Sequence, residues 1–319
     1  MALKKCLVIG DINIDITIHA DHYPTEGGGT SAEKADLRLG GSGCITALCL
    51  QSLGQPTALA ANMGLDVFSQ FAGGYIEASG IDASLVKKFS DEPTGFFLTL
   101  VTSSGKHTMF SNRGANAIAF DLDELLSILK KFDHLHISGY SLKGNDQYAV
   151  VKKFMKAAFQ SGITISLDPG ICTSEQASER ILGLLKYVNY FLPNQDELAS
   201  LVKTMEYDEK IETLLELGCT AVILKQGSLG GKYFEKGFAL SAPAESSSDS
   251  EIVNTTGAGD CFNAGFLKGI LNGKSPEEAL KMANSASFKM ITSKHGIVDF
   301  LQDVNINRVI YTSRNESGG

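Results

Sequence analysis

CLVIGDINIDITI, residues 6–18, joins two kinds of strand in one run. CLVIG is short and apolar and reads as a first strand. INIDITI alternates strictly, with Ile12, Ile14, Ile16 and Ile18 on one face and Asn13, Asp15 and Thr17 on the other. Further strand candidates are TALAANM, LHISGY, ITISLD, YFLPN and AVILKQ. Helix candidates lie between them at 42–53, 66–79, 121–131, 145–161, 175–186, 194–203, 208–217, 260–272 and 276–291. Strand then helix, repeated, predicts an α/β fold: a mostly parallel central sheet with helices on both faces. Ligands on such sheets bind at the carboxyl ends of the strands. Two segments break the pattern. INIDITI is one, and GFFLTLVTSSGKHTMFSN (95–112) is the other, a hairpin turning at Ser103-Ser104-Gly105. They predict a small antiparallel β-sheet lid, with segments at approximately 12–18, 30–40 and 95–112, on one α/β unit spanning 1–319.

With 43% hydrophobic residues and 20% charged ones, the 319-residue chain has ordinary globular composition and ample material for a core. Its net charge of −8, with no basic block, argues against nucleic acid or an anionic membrane as main partner. No stretch is apolar for long enough to span a membrane. MALKKCLVIGDI lacks the longer apolar run and small-residue cleavage site of a signal peptide. The six cysteines, Cys6, Cys44, Cys49, Cys172, Cys219 and Cys261, form no CxxC pair and no cluster of zinc ligands. They read as reduced thiols in a cytoplasmic protein. AESSSDSE (244–251) reads as a surface loop.

NTTGAGD (254–260) sits directly before a helical run. Glycines allow backbone N–H groups to approach a ligand. A helix beginning at about Asp260 aims its unpaired N–H groups and positive dipole end at the same place. Together these make an anion site suited to a phosphoryl group. A carboxylate aimed at bound phosphate repels it unless the acid has a task, and deprotonating an attacking hydroxyl is such a task. The plainer reading is an N-terminal acid that stabilises the helix. A dinucleotide fingerprint is excluded, because the third glycine of G-x-G-x-x-G is missing after Gly257 and Gly259. NGKS (272–275) is no P-loop either, since Lys268 stands where its first glycine would fall.

NTTGAGDCFNAG resembles the C-terminal signature of the ribokinase (PfkB) family of sugar and nucleoside kinases. GGSGCITALCLQSLG (40–54) resembles its N-terminal signature, and GDINIDI (10–16) its first lid strand. PNQDE (193–197) is similar to its N-x-x-E motif, and LKQGSLGG (224–231) to its nucleotide-proximal glycine turn. The five motifs stand in the family's order over nearly the whole chain. The resemblance implies an ATP-dependent phosphotransferase, with Asp260 as the catalytic base. Gly257, Ala258 and Gly259 would hold the transferring phosphoryl group through backbone N–H groups. Asn194 and Glu197 would orient Mg²⁺ through water, with a capped helix start as their alternative reading. Lys225, Gly227 and Gly230 would flank ATP, and Asn284 would lie near the adenine. The alternative for 225–230 is a tight turn between two strands.

On the acceptor side, the resemblance implies substrate contacts from Asn13, Asp15, Gly40 and Gly41. Arg113, in RGAN after the hairpin, is either a contact to an acidic or phosphorylated acceptor or a surface arginine. The chain departs from the family at three places. Ile45 replaces an asparagine that contacts the sugar, Ser42 stands where ribokinases carry lysine, and Asn254 replaces an aspartate. Asn254 keeps a carbonyl but loses a charge, which leaves K⁺ activation at this loop open. A sugar or polyol acceptor is expected. The rival readings are a nucleoside kinase and a catalytically silent sugar-binding protein. The apolar residues on both faces of GFFLTLV predict a lid that covers substrate on one side and a partner lid on the other, hence a homodimer.

Overall fold

The computed structural model describes residues 3–170, 174–203, 206–245 and 251–301. Thirteen strands occur among these: β1 (Cys6–Ile9), β2 (Asn13–Ala20), β3 (Ala32–Gly40), β4 (Thr57–Gly64), β5 (Asp82–Phe89), β6 (Gly95–Thr102), β7 (His107–Asn112), β8 (His134–Ser138), β9 (Thr164–Asp168), β10 (Tyr190–Phe191), β11 (Ala221–Lys225), β12 (Gly231–Glu235) and β13 (Phe238–Ala242). The α-helices among them are α1 (Ser42–Ser52), α2 (Val67–Ala78), α3 (Leu122–Ile128), α4 (Asn145–Gln160), α5 (Glu175–Leu182), α6 (Gln195–Leu201), α7 (Tyr207–Glu216), α8 (Ala258–Leu271) and α9 (Pro276–Thr292).

Nine strands form the main sheet in the order β13-β12-β11-β10-β9-β8-β1-β4-β5. The stretch from β11 to β5 is parallel throughout, and β12 and β13 add antiparallel strands at one edge. Alternate side chains of a strand point to opposite faces, so β1 divides its apolar residues between two cores. Cys6 and Val8 pack with α1, α2, α8 and α9. Leu7 and Ile9 pack with α3 to α7. Helices on both faces are what the β–α alternation predicts. β5 escaped the reading because DASLVKKF mixes charged and apolar residues, as a strand at the sheet's edge can. The five described cysteines are all free and buried. Cys172 and most of the 244–251 loop lie outside the described residues.

The small sheet has the order β3-β2-β6-β7. It is mixed, not antiparallel as expected, because β2 and β6 run parallel. The reason is connectivity: β2 follows β1 and β6 follows β5, and both parent strands leave the main sheet in the same direction. Among the described residues no helix is long and apolar enough to cross a membrane.

The sheet interior holds a polar ladder. His134 is bonded through Nδ1 to Thr164 Oγ1 and through Nε2 to Ser166 Oγ, both at 2.8 Å, and His136 Nδ1 meets the same Ser166 Oγ at 2.8 Å. Burial pulls the two imidazoles down to about 3 and about 4. The unfolded chain therefore binds protons below about pH 6.5 that the folded chain refuses, and stability falls as pH falls. Each histidine contributes a slope of about 1.4 kcal/mol per pH unit between pH ~6.5 and its folded value. Replacing His136 by Gln should flatten urea-denaturation stability against pH by about that slope between pH ~6 and ~4.5. An unchanged slope would show that His136 is already protonated in the fold.

Candidate active site

The main sheet's strand order reverses direction at β1, with β4 to one side and β8 to the other, and such a switch point opens a crevice at the strands' carboxyl ends. A cleft of about 950 Å³ lies there, reaching from Asp11 and Tyr140 to Lys225 and the start of α8, with Phe97, Thr99 and Met109 of the small sheet over it. Its wall begins where β1 hands over to β2. A Cβ on Gly10 would stand 2.4 Å from the Cα of Gly43, so α1 starts in backbone contact with the end of β1. Gly41, at φ 93°, caps α1, and a Cβ there would meet the Asp11 carbonyl oxygen at 2.5 Å. A Cβ on Gly40 would meet an Asp15 carboxylate oxygen at 2.4 Å. Glycines 40 and 41 are thus what lets Asp11 and Asp15 occupy this wall.

Asp11 accepts from Asn13 Nδ2 at 2.9 Å and from the Gly43 amide at 3.3 Å. Asn13 Oδ1 accepts from Asn116 Nδ2 at 2.9 Å, and Asn116 also clamps the backbone of Ile12 through its N–H and carbonyl. Both ends of the Asn13 amide are therefore engaged, which makes it a wall-building residue with one N–H left over, less than the ligand expected. Asp15 faces the cleft, beside Thr17. Burial, helped by the charge of Asp11 and opposed by that of Arg38, pushes its carboxyl up to about 6.

The anion side is the start of α8. The helix begins at Ala258, two residues earlier than expected, with Gly257 as its cap at φ 80°. Asp260 is thus the third residue of the helix, not the first, and stands in its first turn. A side chain on Gly257 would meet Met290 Cε at 2.6 Å, whereas one on Gly259 would meet nothing nearer than Lys225 Nζ at 3.7 Å. The space above Gly259 is where a ligand can approach the backbone. The Ala258 amide donates to the Thr255 carbonyl at 3.2 Å, so it is not the free donor the motif implied. The amides of Gly259 and Asp260 have no acceptor among the described residues and remain for an anion. Ser42 Oγ donates to Asp260 Oδ1 at 2.6 Å. Burial, then the charge of Asp168, push the Asp260 carboxyl well above the usual carboxylate range, against the Ser42 bond and Lys225. Asn254 Oδ1 accepts from the Thr256 amide at 2.8 Å and shapes the same loop.

Beneath the loop lies a buried ion pair. Lys225 Nζ stands 2.6 Å from Asp168 Oδ2. Asp168 also accepts from Asn263 Nδ2 and from the Gly170 amide. Burial alone would raise the Asp168 carboxyl, but the charge and bond of Lys225 outweigh it and hold the group low. Glu197 and Asn194 form the reciprocal cap of α6, at 2.7 and 2.8 Å, while both line the cleft. Cap and cleft wall are one structure here. Burial, with Lys225 opposing and Asp168 adding, pushes Glu197 up to about 7. Gly227 and Gly230, at φ 57° and 88°, turn the chain from β11 to β12 along the cleft. Asn284 lines it too, but both its bonds go to the carbonyls of Ala242 and Pro243.

Arg113 does not line the cleft. Its guanidinium donates to the Tyr140 and Asn116 carbonyls and to Gln147 Oε1, at 2.9, 2.7 and 3.0 Å, so it is a buttress and not an acceptor contact. Several residues of the site were missed in the sequence. Asp11 and Asp168 both stand at the carboxyl end of a parallel strand, the signal that could have found them. Arg38 carried no such signal, and Ser42 was noted as a departure from the family's lysine, not as a partner of Asp260. The residues present suit a nucleoside triphosphate with its metal: unbonded amides at a helix start, the Lys225 cation, and an oxygen ligand in Glu197.

The profile of the pfkB family carbohydrate kinases matches residues 3–302. The ribokinase of Arabidopsis thaliana is 28% identical over 304 residues, covering 91% of this chain and 77% of the relative. The solved structure of Arabidopsis thaliana ribokinase complexed with ribose and ATP superposes with a TM-score of 0.81 at 25% identity, covering 95% of this chain and all of that one. A ribokinase II structure from E. coli in complex with ATP and Mg²⁺ shares the fold, with a TM-score of 0.79 at 24% identity over 94% of this chain and 99% of that one.

The ion pair sets a stability test. Lys225→Met would leave Asp168 charged, buried and short of its cation, at a cost of about 3–5 kcal/mol in chemical denaturation. The double variant with Asp168→Asn should lose less than the sum of the two single losses. Additive losses would mean the two groups do not act as a pair.

Proposed function

The chain belongs to the pfkB family of carbohydrate kinases and is an ATP-dependent sugar kinase; on that premise we propose that Asp260 is the base of its reaction. The reaction transfers the γ-phosphoryl group of ATP to a hydroxyl of a sugar or related polyol. The observation that carries the assignment is the Asp260 carboxyl beside the two unbonded amides of Gly259 and Asp260, at the floor of the cleft. Ser42 occupies Oδ1 of Asp260, which leaves Oδ2 to take the acceptor's proton. The acceptor oxygen then attacks phosphorus while the two amides stabilise the charge on the transferring group. Gly40 leaves room for Asp15, which meets the acceptor's other hydroxyls, and Gly41 leaves room for the Asp11 backbone beside it. Mg²⁺, when bound with ATP, neutralises phosphate charge, and Glu197 with Asn194 is the pair of this chain that would hold its waters. Asn254 is the K⁺ candidate, through its loop's carbonyls. Asp260→Asn should lower kcat by at least ~10²–10⁴ while ATP binding persists. Near-full kcat in that variant would remove Asp260 from the chemistry.

The raised carboxyl of Asp260 also fixes the direction of the pH dependence. The base works only when ionised, so activity is present above its pKa and lost as pH falls through it. Ser42 stabilises the ionised form. Ser42→Ala should move the acid limb of the kcat profile upward by about one pH unit or more. An unmoved limb would show that the Ser42 bond does not govern the base.

The small sheet supports a homodimer by its outer face. Ile18, Leu98, Leu100 and Phe110 lie on the side opposite Asp15 and Thr99, partly exposed, next to Ile16, which packs against the core. Such a contiguous apolar face needs a cover, and two such faces cover each other about a two-fold axis. Phe110→Asp should convert a dimer to a monomer in analytical ultracentrifugation. A monomeric wild type at micromolar concentration would overturn the dimer.

A further inference from the structure

A second, smaller chamber of about 210 Å³ opens off the cleft behind Gly257, and the two share Asp15, Arg38 and Asp260 in their walls. Its inner wall is apolar, formed by the buried side chains of Ile45, Tyr75, Met290 and Val298. Its rim carries charge, and the partners of those charges are unequal. Asp36 is bonded by Lys34 at 2.7 Å, with His19 Nε2 at 3.9 Å. His295 is bonded to Asp299 Oδ1 at 2.9 Å. Arg38 and Lys294 make no salt bridge and no hydrogen bond among the described residues. Arg38 is only half-exposed, and it sits directly opposite Asp15 in the β2–β3 register. One of its terminal nitrogens lies 3.9 Å from where a Cβ on Gly296 would stand, so the guanidinium reaches across the chamber mouth.

A guanidinium presents five N–H donors in a planar fork that matches an anionic oxygen pair. An acceptor with hydroxyls alone is served by Asp15, which needs donors and not a cation beside it. A partly desolvated cation with unused donors calls for negative charge from the ligand. The chamber is also placed correctly. It begins at the base and the hydroxyl-binding carboxylate and leads away from them, so a group within it is remote from the reacting oxygen. Its apolar wall suits the carbon frame that would connect the two.

We propose that the acceptor carries an anionic group, a carboxylate or a phosphate, which enters this chamber and is bound by Arg38 with help from Lys294 while the reacting hydroxyl lies at Asp260. The proposal rests on the kinase reading above. It makes Arg38 the residue that separates acidic acceptors from neutral ones.

The test measures ADP formation with matched acceptors in three arms: neutral pentoses and hexoses, the corresponding aldonic acids, and the corresponding sugar monophosphates. The expected result is an anionic acceptor preferred over its neutral counterpart by about tenfold or more in kcat/KM, as one charge-assisted contact provides. Whichever anionic arm leads identifies carboxylate or phosphate as the group. Arg38→Leu should then lower kcat/KM for the anionic acceptor by about 10- to 100-fold, mostly through KM, and by about tenfold or more beyond any loss with neutral acceptors, which feel only the change at Asp15. Lys294→Leu should give a smaller loss in the same arm. Arg38→Gln and ATP binding by each variant guard against misfolding. Preference for neutral acceptors, or an equal loss in all arms for Arg38→Leu, overturns the proposal and leaves the kinase reading standing. Failure of every acceptor in the wild type, neutral and anionic alike, overturns both.

Discussion

The backbone contact between Gly10 and Gly43 is the constraint on which the site depends. A Cβ on either would lie within 2.5 Å of the other's Cα, so the end of β1 and the start of α1 touch without side chains between them. This approach puts Asp11 within reach of the Gly43 amide and Ser42 within reach of Asp260. It also turns the chain out of the main sheet at the point where β2 must begin. A larger residue would separate the wall that holds Asp11 and Asp15 from the helix that carries Asp260. The glycines at 40 and 41 extend the same logic outward, trading side chains for the room that Asp11 and Asp15 occupy.

Around this contact the protein gathers an unusual density of buried charge. Asp11, Asp15, Asp168, Glu197 and Asp260 share one cleft with a single well-buried cation, Lys225. The consequence is a spread of protonation behaviour. Asp168 is held ionised by Lys225, while burial pushes Asp15, Glu197 and Asp260 up. One carboxylate is fixed as a structural anion, and another is left ready to exchange a proton.

Much of the fold was legible because its signals are local. The alternation of INIDITI, the strand–helix repeat and the turn at residues 103–105 each follow from spacing alone, and the corresponding elements are present. The parallel pairing of β2 with β6 was not legible, since nothing within either strand records its partner. In the site, Asp15, Gly41 and Asp260 could be found through motifs that hold backbone and carboxylate together. Arg113 could not be placed, because a guanidinium beside a cleft and one aimed at carbonyls beneath it have the same sequence. Arg38 escaped, and the Asp260 partner of Ser42 with it, for the related reason that their meaning lies in what stands opposite them, across a strand pair or a helix contact.

That parallel pairing has a consequence for how the chain folds. Asn13 of β2 is matched with Gly95 of β6, a separation of 82 residues (95 − 13), and β3, α1, β4, α2 and β5 lie within that interval. Closing so long a loop is entropically costly before the intervening elements are in place. β6 is therefore late to join the small sheet, whereas β2 and β3 meet across a short connection, and during synthesis the other edge of β2 waits for more than eighty residues. A hydrogen-exchange pulse that protects β6 after β4 and β5 would be the signature of this delay, whereas protection of β6 before them would contradict it.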